Sequence, residues 1–129
     1  MKQAYIEHAN ITVSDPDATA AVLCQIFDWK IRWSGSAMDG GYSVHVGGQN
    51  SYLAIYTNNN TQRSEKNNHN TVLNLNHIGI VVDDLVKIEA KVSAAGFKPK
   101  SHQQYLENAS SFYFYTLDEL EIEVICYSA

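Results

Sequence analysis

An α+β fold made of two β-α-β-β-β modules is what this sequence predicts, and three observations lead there. A stretch that reads as a strand running into a helix start occurs twice: His8, Ile11, Val13 and Asp15 recur as His77, Ile80, Val82 and Asp84, every pair separated by the same 69 positions. Four matches in one register within eight positions point to a structural unit used twice. Each copy also passes from period-two alternation into apolar residues at helical spacing. Short strand-type runs divided by turn residues then follow in both halves.

In the first module, about residues 4–57, Tyr5 to Val13 alternates as a strand, with Ala9, Ile11 and Val13 on one face and His8, Asn10 and Thr12 on the other. Ser14 or Asp15 caps a helix whose first turn accepts Pro16. Ala18, Val22 and Ile26, with Leu23 and Phe27 beside them, make its buried stripe, and Asp28 is placed to end it in a left-handed conformation. Trp29 to Ser34 reads as the second strand, Gly35 to Gly41 as a turn-rich segment, and Tyr42 to Val46 as the third strand. Gly47-Gly48-Gln49-Asn50 reads as a hairpin turn and Ser51 to Thr57 as the fourth strand.

A polar stretch, 58–74, links the modules. It holds Asn58-Asn59-Asn60, Asn67-Asn68 and Asn70, and its His69 reads as a solvated histidine with no assigned chemistry. The second module, about 75–128, repeats the plan. Leu75 to Val82 is its first strand, Asp83 or Asp84 the cap, Leu85, Ile88, Val92 and Ala95 the helix stripe, and Gly96 the left-handed stop. Phe97 to Ser101, Ser111 to Thr116 and Leu120 to Tyr127 are the remaining strands, with Leu117-Asp118-Glu119 as a turn. The last strand puts Leu120, Ile122 and Val124 toward the helix, and Glu121, Glu123, Ile125 and Tyr127 on the other side.

Composition narrows the function classes. A chain of 129 residues with 45% hydrophobic content suits one compact domain, 1–129. A net charge of −5, with nine basic residues spread along the chain, supplies no electrostatic footprint for nucleic acid. No apolar run approaches the roughly 20 residues of a membrane span, so the expectation is a cytoplasmic protein with no membrane partner. Cys24 and Cys126 sit in apolar stretches and read as reduced core thiols.

Glu123 lies inside an apolar strand, and a buried carboxylate needs a cation, a hydrogen-bond network or solvent. If the two sheets curve around a shared cleft, His8 and His77 project from first strands toward its face. Two neutral imidazoles and one carboxylate are the donor set of a facial triad for a divalent transition metal. Of the two acids on that strand, Glu121 lies nearer the turn and is expected to stay hydrated.

These residues resemble the ligand pattern of the vicinal oxygen chelate superfamily, which includes glyoxalase I, extradiol dioxygenases and the fosfomycin and bleomycin resistance proteins. The resemblance spans nearly all of the chain. It implies a cupped mixed sheet with helices on the outer face, and metal ligands from the first and fourth strands of each module: His8 from module one, His77 and Glu123 from module two. The repeat puts Ala54 where the fourth ligand belongs, so glyoxalase I activity itself, which uses both fourth-strand carboxylates, is not expected. Two histidines and one glutamate are similar to the extradiol dioxygenase and fosfomycin-modifying sets. Tyr113, ten residues before Glu123 as in those groups, is implied as a catalytic residue that hydrogen-bonds a bound oxyanion, the alternative being a core tyrosine that reaches one partner. Neither the second acid/base histidine of the dioxygenases, for which His45 is a weak substitute, nor a phosphonate-gripping Lys/Arg set is evident.

Two expectations follow. The first is a metal-dependent enzyme, a lyase, transferase or dioxygenase, using Fe, Mn, Ni or Zn as a Lewis acid on a small substrate with adjacent oxygens. Trp33, Tyr52, Ala54, Tyr56 and Tyr113 would line its substrate site. The second is a metal-free protein that sequesters a drug, as the bleomycin resistance proteins do, for which acidic charge and the aromatics Trp33, Tyr52 and Tyr56 are suited. A homodimer is expected, with modules paired within one chain or between two.

Overall fold

The computed structural model describes residues 2–65, 67–105 and 107–128; the end residues of the expected 1–129 domain lie outside them. The chain divides into two compact units, Met1–Gln62 and Arg63–Ala129. Each is a β-α-β-β-β module, and the two-module α+β class expected from the sequence is the one found.

In the first unit the order is β1 (His8–Thr12), α1 (Pro16–Phe27), β2 (Lys30–Ala37), β3 (Gly41–Gly47) and β4 (Tyr52–Thr57). The strands lie in the sheet in the order β1-β4-β3-β2, with β1 parallel to β4 and the other neighbours antiparallel. Asp15 caps α1 by accepting from the Ala18 amide, Pro16 occupies the first turn, and Asp28 ends the helix with φ of 57°. Leu23 and Ile26 of α1 and Val44, Val46 and Ile55 of the sheet are all fully buried. Each such side chain contributes about 1.5–3 kcal/mol of transfer free energy, so this layer holds the unit together.

The second strand runs three residues further than the sequence suggested, through Gly35, Ser36 and Ala37. Glycine is unremarkable at 35 once the geometry is seen: a Cβ there would meet the Trp33 ring at 2.9 Å, so the ring lies over bare backbone. The true turn is Met38-Asp39-Gly40-Gly41, with φ of 58° at Asp39 and 66° at Gly40. Two consecutive positive φ values make the primed hairpin turn that an Asp-Gly pair favours, and the Gly41 amide closes it on the Met38 carbonyl at 3.0 Å.

The second unit repeats the plan with β5 (Ile78–Val81), α2 (Leu85–Ala94), β6 (Lys100–Tyr105), β7 (Ala109–Tyr115) and β8 (Glu121–Tyr127), in the sheet order β5-β8-β7-β6. A single 3-10 turn, Leu117–Glu119, joins β7 to β8. Asp84 caps α2 by accepting from the Lys87 amide, so cap and donor sit 69 positions beyond Asp15 and Ala18. Gly96 follows with φ of 93°. Phe112, Phe114, Ile122, Val124 and Val92 are fully buried and form the core. The expected second and third strands of this half were misplaced: β6 begins at Lys100 instead of Phe97, and β7 at Ala109 instead of Ser111. Phe97 is used otherwise, packing at a tilt against Phe114 with ring centroids 6.1 Å apart, so its apolar character reports core contact and not strand.

Candidate functional site

Backbone pairing puts corresponding residues of the two units on equivalent rungs. Asn10 pairs with Ala54 and Gly79 with Glu123 across the parallel first and fourth strands. His45 faces Ala54 across the antiparallel third and fourth strands, as Tyr113 faces Glu123. Trp33 continues one row and Lys100 the other. Residues on one rung point the same way, so Asn10, Ala54, His45 and Trp33 form a row in the first unit, and Gly79, Glu123, Tyr113 and Lys100 in the second.

In the second unit His77 Nε2 lies 3.2 Å from Glu123 Oε1, and its Nδ1 lies 2.7 Å from Asn76 Oδ1. A neutral imidazole carries one N–H, yet this ring faces an oxygen at each nitrogen. With the N–H given to Asn76, the Nε2 lone pair and the carboxylate oxygen face one another, an arrangement that either a second ring proton or a metal ion between them satisfies. Two ligand atoms about 2.0–2.2 Å from one ion at cis angles stand roughly 2.8–3.6 Å apart. The observed separation falls in that range, so the pair fits a divalent ion. Side-chain exposures of 31% for His77 and 12% for Glu123 leave the pair reachable from solvent.

Tyr113 packs edge-on against His77 at 5.4 Å. Burial first, then the charge of Glu123 and a hydrogen bond to it, push its hydroxyl above the usual phenol range, so it stays protonated and can donate. Beside it opens a cavity of about 230 Å³, lined by His69, His77, Lys100, Gln103 and Tyr113, with Glu121 among the others.

Two expectations are corrected here. Glu121 is not the hydrated acid of β8: it is 4% exposed and holds Lys100 Nζ at 2.8 Å and His69 Nε2 at 2.5 Å. Burial alone would raise its carboxyl, but those two hydrogen bonds and the charges behind them win and hold it below the usual range. Nor is His69 a solvated bystander, since Glu121 fixes its ring and the Asn67 side chain accepts from its backbone amide at 2.8 Å. The signal available in the sequence was a second acid two residues before Glu123 on an apolar strand, which needs partners of its own.

The first unit holds its expected residues in an aromatic row. His8 stacks on Tyr52 at 4.9 Å, Tyr52 on His45 at 4.8 Å, and His45 contacts Trp33 at 5.0 Å, with the Arg32 guanidinium 4.4 Å from the Tyr52 ring. Burial, with the nearby His8 and Arg32, lowers the His45 imidazole, so it is neutral at pH 7. Trp33 is 47% exposed and is the open end of the row, whereas Ala54 is buried at 2%. Tyr56 is committed elsewhere, donating from its hydroxyl to the Met38 carbonyl at 2.8 Å and accepting from Asn58 at 3.0 Å. His8 Nδ1 lies 2.9 Å from Glu7 Oε1. Within either unit, among the described residues, no three His, Cys, Asp or Glu side chains converge as a ready ligand cluster.

The two units are copies of one β-α-β-β-β module, each with a histidine at or just before its first strand. Residues 5–124 match the model of the Glyoxalase/Bleomycin resistance protein/Dioxygenase superfamily, and the chain belongs to that family, the vicinal oxygen chelate superfamily. Among solved structures it is similar to a glyoxylase/bleomycin resistance protein/dioxygenase domain from Frankia sp. EAN1pec, at 19% identity and a TM-score of 0.81, covering 98% of this chain and 100% of that one. It is also similar to the fosfomycin resistance protein FosX from Listeria monocytogenes complexed with Mn(II) and sulfate, at 16% identity and a TM-score of 0.69, covering 99% and 95%. Glyoxalase I from Zea mays, as its V278E mutant, matches at 15% identity and a TM-score of 0.75, over 93% of this chain and 45% of that one. At such identities the likeness is one of fold. No curated protein matches the chain in sequence. No helix is long and apolar enough to cross a membrane among the described residues.

Proposed function

We propose that this protein is a metal-dependent enzyme of the glyoxalase/dioxygenase-like group, in which His8, His77 and Glu123 hold one divalent ion, Fe, Mn, Ni or Zn. The observation that carries this reading is the His77–Glu123 pair, whose 3.2 Å separation suits two ligands of one ion. That a FosX structure contains Mn(II) on the same fold supports it. The reading requires His8 of a first unit to meet the pair of a second, within one chain or between two in a homodimer.

Such an ion, when bound, supplies Lewis-acid polarisation of a small substrate with adjacent oxygens. The chain's own residues do the rest. Tyr113 is kept protonated and gives its one hydroxyl proton to Glu123 here, so it is the group that would turn to donate to a substrate oxyanion. Ala54, carrying only a methyl group where module two has Glu123, supplies no ligand on that rung and is itself covered, at 2% exposure. Trp33 and Tyr52 supply aromatic surface, and Tyr56, its hydroxyl engaged, contributes shape.

A second reading, a metal-free protein that binds and sequesters a cationic small-molecule drug, draws on the aromatic row ending at exposed Trp33. One experiment separates the two. Protein purified without added metal is analysed for elements, then titrated calorimetrically with Mn, Fe, Ni and Zn salts and with bleomycin. Binding of one ion per chain that Glu123→Gln weakens supports the enzyme. Bleomycin binding lost in Trp33→Ala, with no ion bound, transfers support to sequestration.

A further inference from the structure

We propose that Glu7 and Asn76 are a matched pair of positioning residues, each fixing the ring of the histidine that follows so that Nε2 is the ligating atom. The inference rests on the reading that His8 and His77 bind metal. Each contact uses the same nitrogen, Nδ1, and the side-chain oxygen of the preceding residue: Glu7 Oε1 at 2.9 Å and Asn76 Oδ1 at 2.7 Å. From 7 to 76 is again 69 positions, so the internal repeat extends to the hydrogen-bond acceptor although the residue type changes.

Neighbouring side chains within a strand point to opposite faces and do not meet. Both acceptors avoid that rule. Glu7 precedes β1, which begins at His8, and Asn76 precedes β5, which begins at Ile78. Each is anchored there by its own backbone carbonyl, Glu7 accepting from the Tyr52 amide at 3.0 Å and Asn76 from the Asn68 side chain at 2.7 Å. Both side chains are exposed and build no core; beyond His8, Glu7 Oε1 accepts from the hydroxyl of Tyr52 at 3.4 Å, whose ring stacks on His8, so that contact too bears on how the imidazole is held.

A histidine ligand held through its second nitrogen keeps one tautomer and one ring orientation, and its basicity rises with the charge of the acceptor. Glu7 brings a carboxylate and Asn76 a neutral amide.

Calorimetry with Zn(II) and Mn(II) on the full chain tests this. Glu7→Leu and Asn76→Leu should each weaken binding by about 10–100-fold, the range for lost outer-shell partners, while the metal-free melting temperature stays unchanged. Glu7→Gln should lose less than Glu7→Leu, and Asn76→Asp should match or exceed wild type, since an acceptor oxygen remains. Long-range proton–nitrogen spectra of the Zn(II)-loaded protein should show Nε2 of both histidines bound to the ion. Leucine variants that bind as tightly as wild type, or ligation through Nδ1, would overturn the positioning role while leaving the metal reading intact. Wild-type protein that binds neither ion would remove the metal reading, and this inference with it.

Discussion

His69 Nε2 lies 2.5 Å from Glu121 Oε1, joining a polar connecting segment to a carboxylate buried in the last strand, 52 positions away. Lys100 Nζ takes the other oxygen at 2.8 Å, so this acid is fully engaged in internal bonds. The two acids of β8 thus have separate tasks, Glu121 holding structure together and Glu123 facing His77.

Glutamine substitutions should separate those tasks. Glu121→Gln removes a charge that Lys100 and His69 both need and should cost about 1–3 kcal/mol in urea unfolding, with metal affinity within a few-fold of wild type. Glu123→Gln should change stability little and weaken metal binding by roughly 10-fold or more. Equal losses of metal affinity in both variants would show that the ligand has been assigned to the wrong acid.

Acid should act through Glu121. Its carboxyl is held below the ordinary value of 4.5 in the folded state, so its contribution is fully present above that value and is lost as pH falls through the lowered folded one. Wild type should lose more unfolding free energy between pH 5 and pH 3 than Glu121→Gln does. Parallel slopes for the two proteins would contradict the assignment.

Ala54 and Glu123 stand on equivalent rungs, so Ala54→Glu restores the carboxylate that the repeat omits. Ala54 is only 2% exposed, and the longer side chain should cost about 1–3 kcal/mol as His45 and Tyr52 make room. On the proposed reading it also adds a fourth ligand and tightens Zn(II) binding at least a few-fold. An unchanged Zn(II) affinity in a folded variant would place the ion away from this strand.

Assembly is checked by light scattering across micromolar concentrations. A homodimer predicts a mass twice the 14.4 kDa of one chain. A constant mass near that of one chain would refute it.

Period and repetition carried most of the fold. Alternation, helical spacing, the caps at Asp15 and Asp84 and the left-handed stop at Asp28 are local in cause: each depends on residues within a turn or two along the chain, and the shared offset then doubles the first strand and the helix cap. The pairing of His77 with Glu123 was legible for the same reason, because first and fourth strands of a repeated module must lie side by side. What only the tertiary structure decided were contacts without a local cause. Phe97 packs against Phe114, 17 positions away, and β6 begins only at Lys100. Burial of Glu121 required knowing that Lys100, 21 positions away, and His69, 52 away, both arrive at its two oxygens. Strand parity says which way a side chain points, but its charge environment is set by groups that meet only after the chain has folded.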